Sequence, residues 1–389
     1  MALPATRCGT RPSSGQNRRR SGTVPGLVCV LAILGPGLCR HAQAAEPAQA
    51  LRRVEVHVFG GDRSAGAPLA PWYREIGITD VWLYALQGAF PQDQRPETQK
   101  SVDALESEGT LAAYREEGLR YWWMERPVPD YFYATSEPDP EDSAHLWGTS
   151  AHNDALWADV CRRIREIYPK VREAGFAGVV YDNEAYYSFQ GDESGQEKPW
   201  VWGGHQAECG KDGGYYARGL EVGRAIAEVW PDAKVVMAYA FGYAGERWWY
   251  QGVAEGGVDL IIGPEHTYGA GAGELGDAWY QSWWQGRTTK QTCDWKRTVF
   301  PFIRDNRHVN AGLFPIEFTT KKPNYLARHF REQLASAAND DPEGPIAVWL
   351  WPQGPFTPES WKTVEFAPGD SADAYLDALR DFSQGCSER

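Results

Sequence analysis

Basic residues are scarce in this sequence. It has 39 lysines and arginines against 52 aspartates and glutamates, which gives a formal net charge of −13. Six of the arginines lie in the first 44 residues, which hold no acid, so the rest of the chain carries −19. Phosphate groups attract basic surfaces. The charge therefore argues against nucleic acid and anionic lipid as partners, and favours neutral or cationic substrates.

Cysteines are also few and lie far apart. Three of the seven fall in the first 44 residues; the other four are Cys161, Cys209, Cys293 and Cys386. No pair has the close spacing of a zinc site, so neither a metal nor a cofactor is predicted. In an oxidising compartment the four could form one or two disulfides, but the sequence does not fix their pairing.

Long apolar runs are missing except for one at the N-terminus, residues 24–38. It follows Arg18, Arg19 and Arg20 and precedes the small-residue pattern Ala42-Gln43-Ala44. It is shorter than the roughly 20 residues of a membrane helix. Residues 1–44 are therefore predicted to be a cleaved signal peptide, which implies a secreted or periplasmic protein with no membrane attachment. Residues 45–389 contain no linker or repeat and are expected to form a single domain.

Short apolar runs alternate with helical segments along residues 45–389. Amphipathic spacing is clearest in residues 153–174, although Pro169 predicts a kink or a split there. Eight runs are predicted to be strands: 54–59, 80–86, 119–125, 177–183, 234–240, 258–263, 310–317 and 345–351. This alternation predicts an α/β fold, a (β/α)8 TIM barrel. An open doubly wound sheet would also alternate, but no glycine-rich phosphate turn follows the first strand.

The fourth predicted strand ends in three polar residues, Asp182, Asn183 and Glu184. A buried acid costs stability unless it is paired or used, so this strand end is the first candidate for a site. In a barrel the site lies at the carboxyl ends of the strands.

Other predicted strand ends carry carboxylates and aromatic rings. The candidates for substrate contact, besides Asn183, are Glu125, Arg126, Tyr239, Glu265, His266, Tyr268, Trp349 and Trp351. Glu317 ends the seventh predicted strand. Paired carboxylates suit glycosidic bond cleavage, which needs one acid to protonate the leaving oxygen and one carboxylate to attack or to activate water. Tryptophans in the predicted loops, Trp248 and Trp249 among them, would stack on sugar rings.

These motifs resemble those of clan A glycoside hydrolases, a group of retaining (β/α)8 enzymes that includes family 5. The resemblance implies that Glu184, in the pair Asn183-Glu184, is the acid/base, and that Glu317 is the nucleophile. His266-Thr267-Tyr268 resembles the His-x-Tyr of family 5, and Trp349 or Trp351 its strand-eight tryptophan. A carbohydrate partner and a hydrolase activity are what this resemblance implies.

Three alternatives stay open. Asp182-x-Glu184 is similar to the end of the family 18 chitinase signature. Tyr181-Asp182-Asn183 resembles α-galactosidase-like enzymes, which implies Asp182 as the nucleophile and Glu265 as the acid. A barrel that binds glycans without cleaving them is the third. A metal-dependent hydrolase is disfavoured, because His57 lacks a second histidine two residues away.

Overall fold

The protein is described by a computed structural model over twelve segments. They are residues 53–60, 66–84, 101–125, 154–182, 211–212, 214–238, 244–263, 297–298, 300–302, 311–338, 346–352 and 354–385. Within these segments no helix is both long and apolar enough to cross a bilayer. Cys161 is the one cysteine they include, and it is buried and free.

Eight parallel strands form the centre of the fold. In chain order the strands are β1 Val54–Gly60, β2 Asp80–Tyr84, β3 Arg120–Glu125, β4 Val179–Asp182, β5 Lys234–Ala238, β6 Asp259–Gly263, β7 Ala311–Leu313, β8 Ile316–Glu317, β9 Lys322–Pro323 and β10 Ile346–Leu350. The parallel sheet has the order β6-β5-β4-β3-β2-β1-β10-β7, and β8 and β9 form a separate antiparallel ribbon. The predicted (β/α)8 barrel is confirmed by this arrangement.

Helices connect the strands and cover the sheet. They are α1 Ala70–Glu75, α2 Val102–Ser107, α3 Thr110–Glu116, α4 Asp154–Glu173, α5 Gly214–Val229, α6 Ala244–Glu255, α7 Ala327–Ala338, α8 Pro358–Trp361 and α9 Ala372–Gly385. Pro169 lies inside α4, which runs as a single helix of 20 residues, so the predicted split does not occur.

Two apolar layers result from the alternation of side chains along each strand. One layer packs between the strands and the helices. The other fills the barrel interior, and its buried members are Trp82, Trp122, Met124, Val180, Val236, Ala238, Ile261, Phe314, Trp349 and Trp351. A methyl group on Gly312 would lie 2.4 Å from the Trp349 ring, and one on Gly178 would lie 2.6 Å from the Trp122 ring. Glycine at these positions leaves room for large indoles inside the barrel.

The seventh strand is shorter than predicted. It ends at Leu313, whose carbonyl accepts the last bond from β10, donated by the Trp351 amide at 3.0 Å. The next residues turn away because Pro315 has no N–H for the ladder. The Phe314 and Pro315 carbonyls instead accept bonds from Asn324, both at 2.9 Å.

Helix α6 contains two tryptophans that the sequence analysis placed in a loop. Trp249 is fully buried in the layer between strands and helices, and Trp248 is half-buried against it. Trp249 therefore offers no face to a sugar, whereas stacking by Trp248 stays a prediction. The sequence did not indicate this helix because it contains glycines, which are poor helix formers. The glycines let α5 and α6 touch: a methyl group on Gly252 would lie 2.2 Å from the Tyr216 carbonyl.

Candidate active site

Asp182 is the described carboxylate best placed for chemistry. It is the last residue of β4, and only 1% of it is exposed. Val180, two residues earlier, belongs to the barrel interior, whereas Tyr181 packs on the helix side. By the two-residue period of a strand, Asp182 therefore faces the interior at the carboxyl end of the barrel. This is the end where (β/α)8 enzymes hold their reacting groups.

An aromatic wall lines the same end of the barrel. It consists of Phe59 near the end of β1, Tyr84 at the end of β2 and Trp351 just after β10. The Phe59 ring lies 4.2 Å from the Trp351 ring and 6.1 Å from the Tyr84 ring, centre to centre. Phe59 and Tyr84 are only partly buried. The sequence analysis missed Phe59 and Tyr84, although their positions at strand ends were visible.

The two predicted strand-eight tryptophans have different surroundings. Trp349 is fully buried and stacks on Trp82, with ring centres 5.2 Å apart. It therefore forms part of the packed interior and does not offer a face to substrate, contrary to the prediction. Trp351, two residues nearer the open end, is 8% exposed and belongs to the aromatic wall.

Glu125 points away from the barrel interior. It shares a face of β3 with Tyr121 and Trp123, which pack against the helices. Its carboxylate accepts a hydrogen bond from the Trp123 indole at 2.5 Å, and the residue is fully buried. The predicted role of Glu125 in substrate binding is therefore wrong, because its side chain lies behind the sheet.

Glu317 lies on β8, four residues beyond Leu313, whose carbonyl ends β7. Ile316 and Phe318 on either side of it pack into the layer of helices, so Glu317 faces away from that layer. It is partly exposed and accepts a hydrogen bond from the Thr319 hydroxyl at 3.1 Å. The ribbon of β8 and β9 stays close to the end of β10, because the Phe318 amide donates to the Pro352 carbonyl at 3.2 Å.

Seven predicted site residues lie outside the described part of the chain. They are Arg126, Asn183, Glu184, Tyr239, Glu265, His266 and Tyr268. Their roles stay predictions. Asn183 and Glu184 directly follow Asp182 in the sequence, so they continue from a strand end whose place is known.

A second polar group lies inside the barrel at the amino-terminal ends of the strands. Glu55, His57 and Asp80 bring ligand-type atoms within 4.8 Å of one another, which is the spacing of a metal site. Arg120 already supplies the cation: its guanidinium lies 2.7 Å from Asp80 Oδ2 and 3.0 Å from Glu55 Oε1. The Trp122 indole takes the other Asp80 oxygen at 2.7 Å. The cluster is a neutralised structural group and does not fit a metal.

The charges of this cluster are held by direct contacts. Burial alone would raise the pKa of Glu55, but the hydrogen bond from His57 and the positive charges of Arg120 and Arg53 hold the pKa at about 2. His57 Nδ1 accepts a bond from the Trp82 indole at 3.0 Å, which places the imidazole proton on Nε2, toward Glu55. Groups at this end of a barrel stabilise the fold, whereas those at the other end act on substrate.

No protein-family model and no curated protein matches the sequence. Among solved structures, the chain is similar to glycoside hydrolases. A β-1,4-D-mannanase from Cryptopygus antarcticus is 9% identical with a TM-score of 0.48, over 85% of this chain and 91% of the mannanase. Endo-glycoceramidase II from Rhodococcus sp. is 14% identical with a TM-score of 0.46, over 84% and 78%.

A sugar phosphate isomerase/epimerase from Parabacteroides distasonis is also similar. It is 8% identical with a TM-score of 0.41, and the match covers 89% of this chain and 99% of that one. Similarity at this level concerns the barrel and says nothing about activity, because (β/α)8 barrels host many chemistries. Function has to follow from the residues at the strand ends.

Proposed function

We propose that the protein is an exported glycoside hydrolase that cleaves O-glycosidic bonds in an oligo- or polysaccharide. The observation that supports this most is a shared location. A buried, inward-facing carboxylate, Asp182, and the aromatic wall of Phe59, Tyr84 and Trp351 occupy the same end of the barrel. Aromatic faces stack on the apolar faces of sugar rings, and carboxylates supply the acid and the nucleophile or base of glycoside cleavage. The charge of −19 on residues 45–389 agrees with a neutral substrate.

The assignment of roles follows the clan A pattern in the sequence. In this proposal Glu184 donates a proton to the leaving oxygen and Glu317 attacks the anomeric carbon. Water then hydrolyses the glycosyl-enzyme with Glu184 acting as base, so that the anomeric configuration is retained. Glu317 lies beside the end of β10, which is compatible with a group at the mouth of the barrel.

A second assignment uses Asp182 as the nucleophile. It is favoured by the inward direction of Asp182, and by the position of Glu317 on β8, beyond the end of the barrel strand β7. Asp182→Asn and Glu317→Gln separate the two. If Glu317 is the nucleophile, Glu317→Gln abolishes turnover and Asp182→Asn weakens it less; the opposite order would assign the nucleophile to Asp182. The anomer formed first, followed by proton NMR, tests retention in the same samples.

Export is part of the proposal and has its own test. The arginines and the apolar run of residues 1–44 support a cleaved leader. Expression of the whole gene in a bacterial host, followed by intact mass analysis of the exported protein, is expected to give a chain that begins at Ala45. A full-length chain that remains in the cell would contradict export and leave the hydrolase proposal unaffected.

A further inference from the structure

Three buried polar side chains lie behind β4, on the side of the sheet that faces the helices. Tyr181 is the residue of β4 directly before Asp182, Tyr168 comes from α4, and Glu125 ends β3. All three are fully buried. They are therefore shielded from solvent and from any substrate in the barrel mouth.

Hydrogen bonds join these side chains into a chain. The hydroxyl oxygens of Tyr168 and Tyr181 lie 2.8 Å apart, and Tyr168 also hydrogen-bonds to Glu125. The Trp123 indole donates to Glu125 at 2.5 Å. Either tyrosine hydroxyl can be the donor of the bond that joins them.

Both tyrosine hydroxyls stay protonated. Burial, followed by the negative charge of Glu125, raises the pKa of Tyr168 and of Tyr181 well above the ordinary value. Neither hydroxyl therefore loses its proton near neutral pH, and the bond between them is kept.

The chain of bonds controls how the end of β4 is rotated. This strand has only four residues, and Tyr181 and Asp182 project to opposite sides of it. Glu125 and Tyr181 are paired neighbours in the register of β3 and β4. Holding the Tyr181 hydroxyl to Tyr168 of α4 fixes the strand about its own axis, and with it the direction of Asp182.

We propose that Glu125, Tyr168 and Tyr181 are positioning residues for the Asp182 carboxylate at the end of β4. This inference rests on the proposed hydrolase function for its effect on catalysis. A displacement of 1 Å at a reacting group costs about 10²-fold in rate, so a buried contact behind the strand can control turnover without touching the substrate.

The test compares Tyr181→Phe and Tyr168→Phe with a matched control, Tyr121→Phe. Tyr121 lies on β3, also faces the helices, and donates to the Ala174 carbonyl at 2.8 Å. It loses one buried hydrogen bond, as Tyr181 does, but has no link to the end of β4. We expect kcat to fall about 10- to 100-fold in the first two variants, with KM within about twofold, and to stay within about twofold in Tyr121→Phe.

The double variant Tyr168→Phe/Tyr181→Phe adds a further readout. Both hydroxyls belong to one chain of bonds, so the second substitution is expected to add little to the first. The kcat of the double variant is expected to stay within about twofold of the kcat of the less active single variant. Independent losses that multiply would contradict a shared positioning role. Equal loss of kcat in Tyr121→Phe would show that any buried hydroxyl in this layer affects turnover, which overturns the proposal.

Amide hydrogen exchange tests the same proposal without any substrate. In Tyr181→Phe the Asp182 amide is expected to exchange at least about 10-fold faster, while amides in β1 and β2 keep the parental rate. Unchanged exchange at Asp182 would overturn the positioning role whatever the activity. A parent protein that cleaves no glycoside, combined with the expected exchange result, would refute the proposed function and leave the positioning of β4 intact.

Discussion

Arg120 is expected to stabilise the barrel because its guanidinium pairs with two carboxylates in the interior. Its side chain is 25% exposed, that of Glu55 is 14% exposed, and that of Asp80 is fully buried. Replacing it with methionine keeps the aliphatic stem but removes the cation of Asp80, and leaves Glu55 with only the more exposed Arg53. Removal of one partner from a buried ion pair costs about 3–5 kcal/mol. We expect Arg120→Met to lower the free energy of unfolding in urea by about 3 kcal/mol at pH 7, the low end of that range, because Arg120 is partly exposed.

The pH dependence of this loss identifies its cause. Arg120 contributes to the lowered pKa of Glu55, and the stabilisation that this shift gives is lost as the pH falls from 4.5 toward 2, so the difference between Arg120→Met and the parent is expected to be smaller at pH 3 than at pH 7. Arg162→Met is the control, since it removes ion pairs to Asp159 and Glu166 that lie on the exposed face of α4. We expect no measurable change there. A loss in Arg120→Met that is the same at both pH values would refute the electrostatic account and point to lost packing.

Three further predictions concern other parts of the barrel. Gly312→Ala is expected to cost about 1–3 kcal/mol of unfolding free energy in urea, because its methyl group would lie 2.4 Å from the Trp349 ring, whereas Gly66→Ala meets only Pro68 at 3.5 Å and is the neutral control. The pKa of Glu55 is lowered in the folded state from 4.5 to about 2, so its stabilisation is present above pH 4.5 and is lost as the pH falls toward 2. The full shift corresponds to about 3 kcal/mol, and the stability difference between Glu55→Gln and the parent is therefore expected to be smaller at pH 3 than at pH 6; a difference that does not change would contradict it. Trp351→Ala is expected to raise KM for the glycan about 10-fold with little change in kcat, measured from initial rates, and an unchanged KM would remove Trp351 from the aromatic wall's role.

The strands were predictable because a barrel strand is buried on both sides. Each of the eight apolar runs corresponds to a strand, and the third and sixth begin within one residue of the observed Arg120 and Asp259. The seventh was overextended because the apolar run continues past Leu313 while Pro315 ends the hydrogen-bond ladder. Apolar composition indicates burial, but the pairing of backbone groups decides where a strand ends.

The directions of the side chains were harder to predict than the strands, because a barrel strand is buried on both sides. In β3 the residues Tyr121, Trp122, Trp123 and Met124 are all large and apolar, so alternation does not reveal which set faces the barrel interior. This ambiguity led Glu125 to be assigned to the substrate side. In β4 the direction of Asp182 was also undetermined by the sequence, and it became clear only from the separate packing of Val180 and Tyr181.

The measurement that tests the central proposal most directly compares the parent with Glu184→Gln on a panel of neutral polysaccharides, with release of reducing ends as the readout. We expect the parent to cleave at least one member and Glu184→Gln to cleave it about 10²–10⁴-fold more slowly while still binding it. The loss is expected to be smaller on aryl glycosides whose leaving group needs no proton. A parent that binds a glycan but releases no reducing ends, or a Glu184→Gln variant as fast as the parent, would contradict the account.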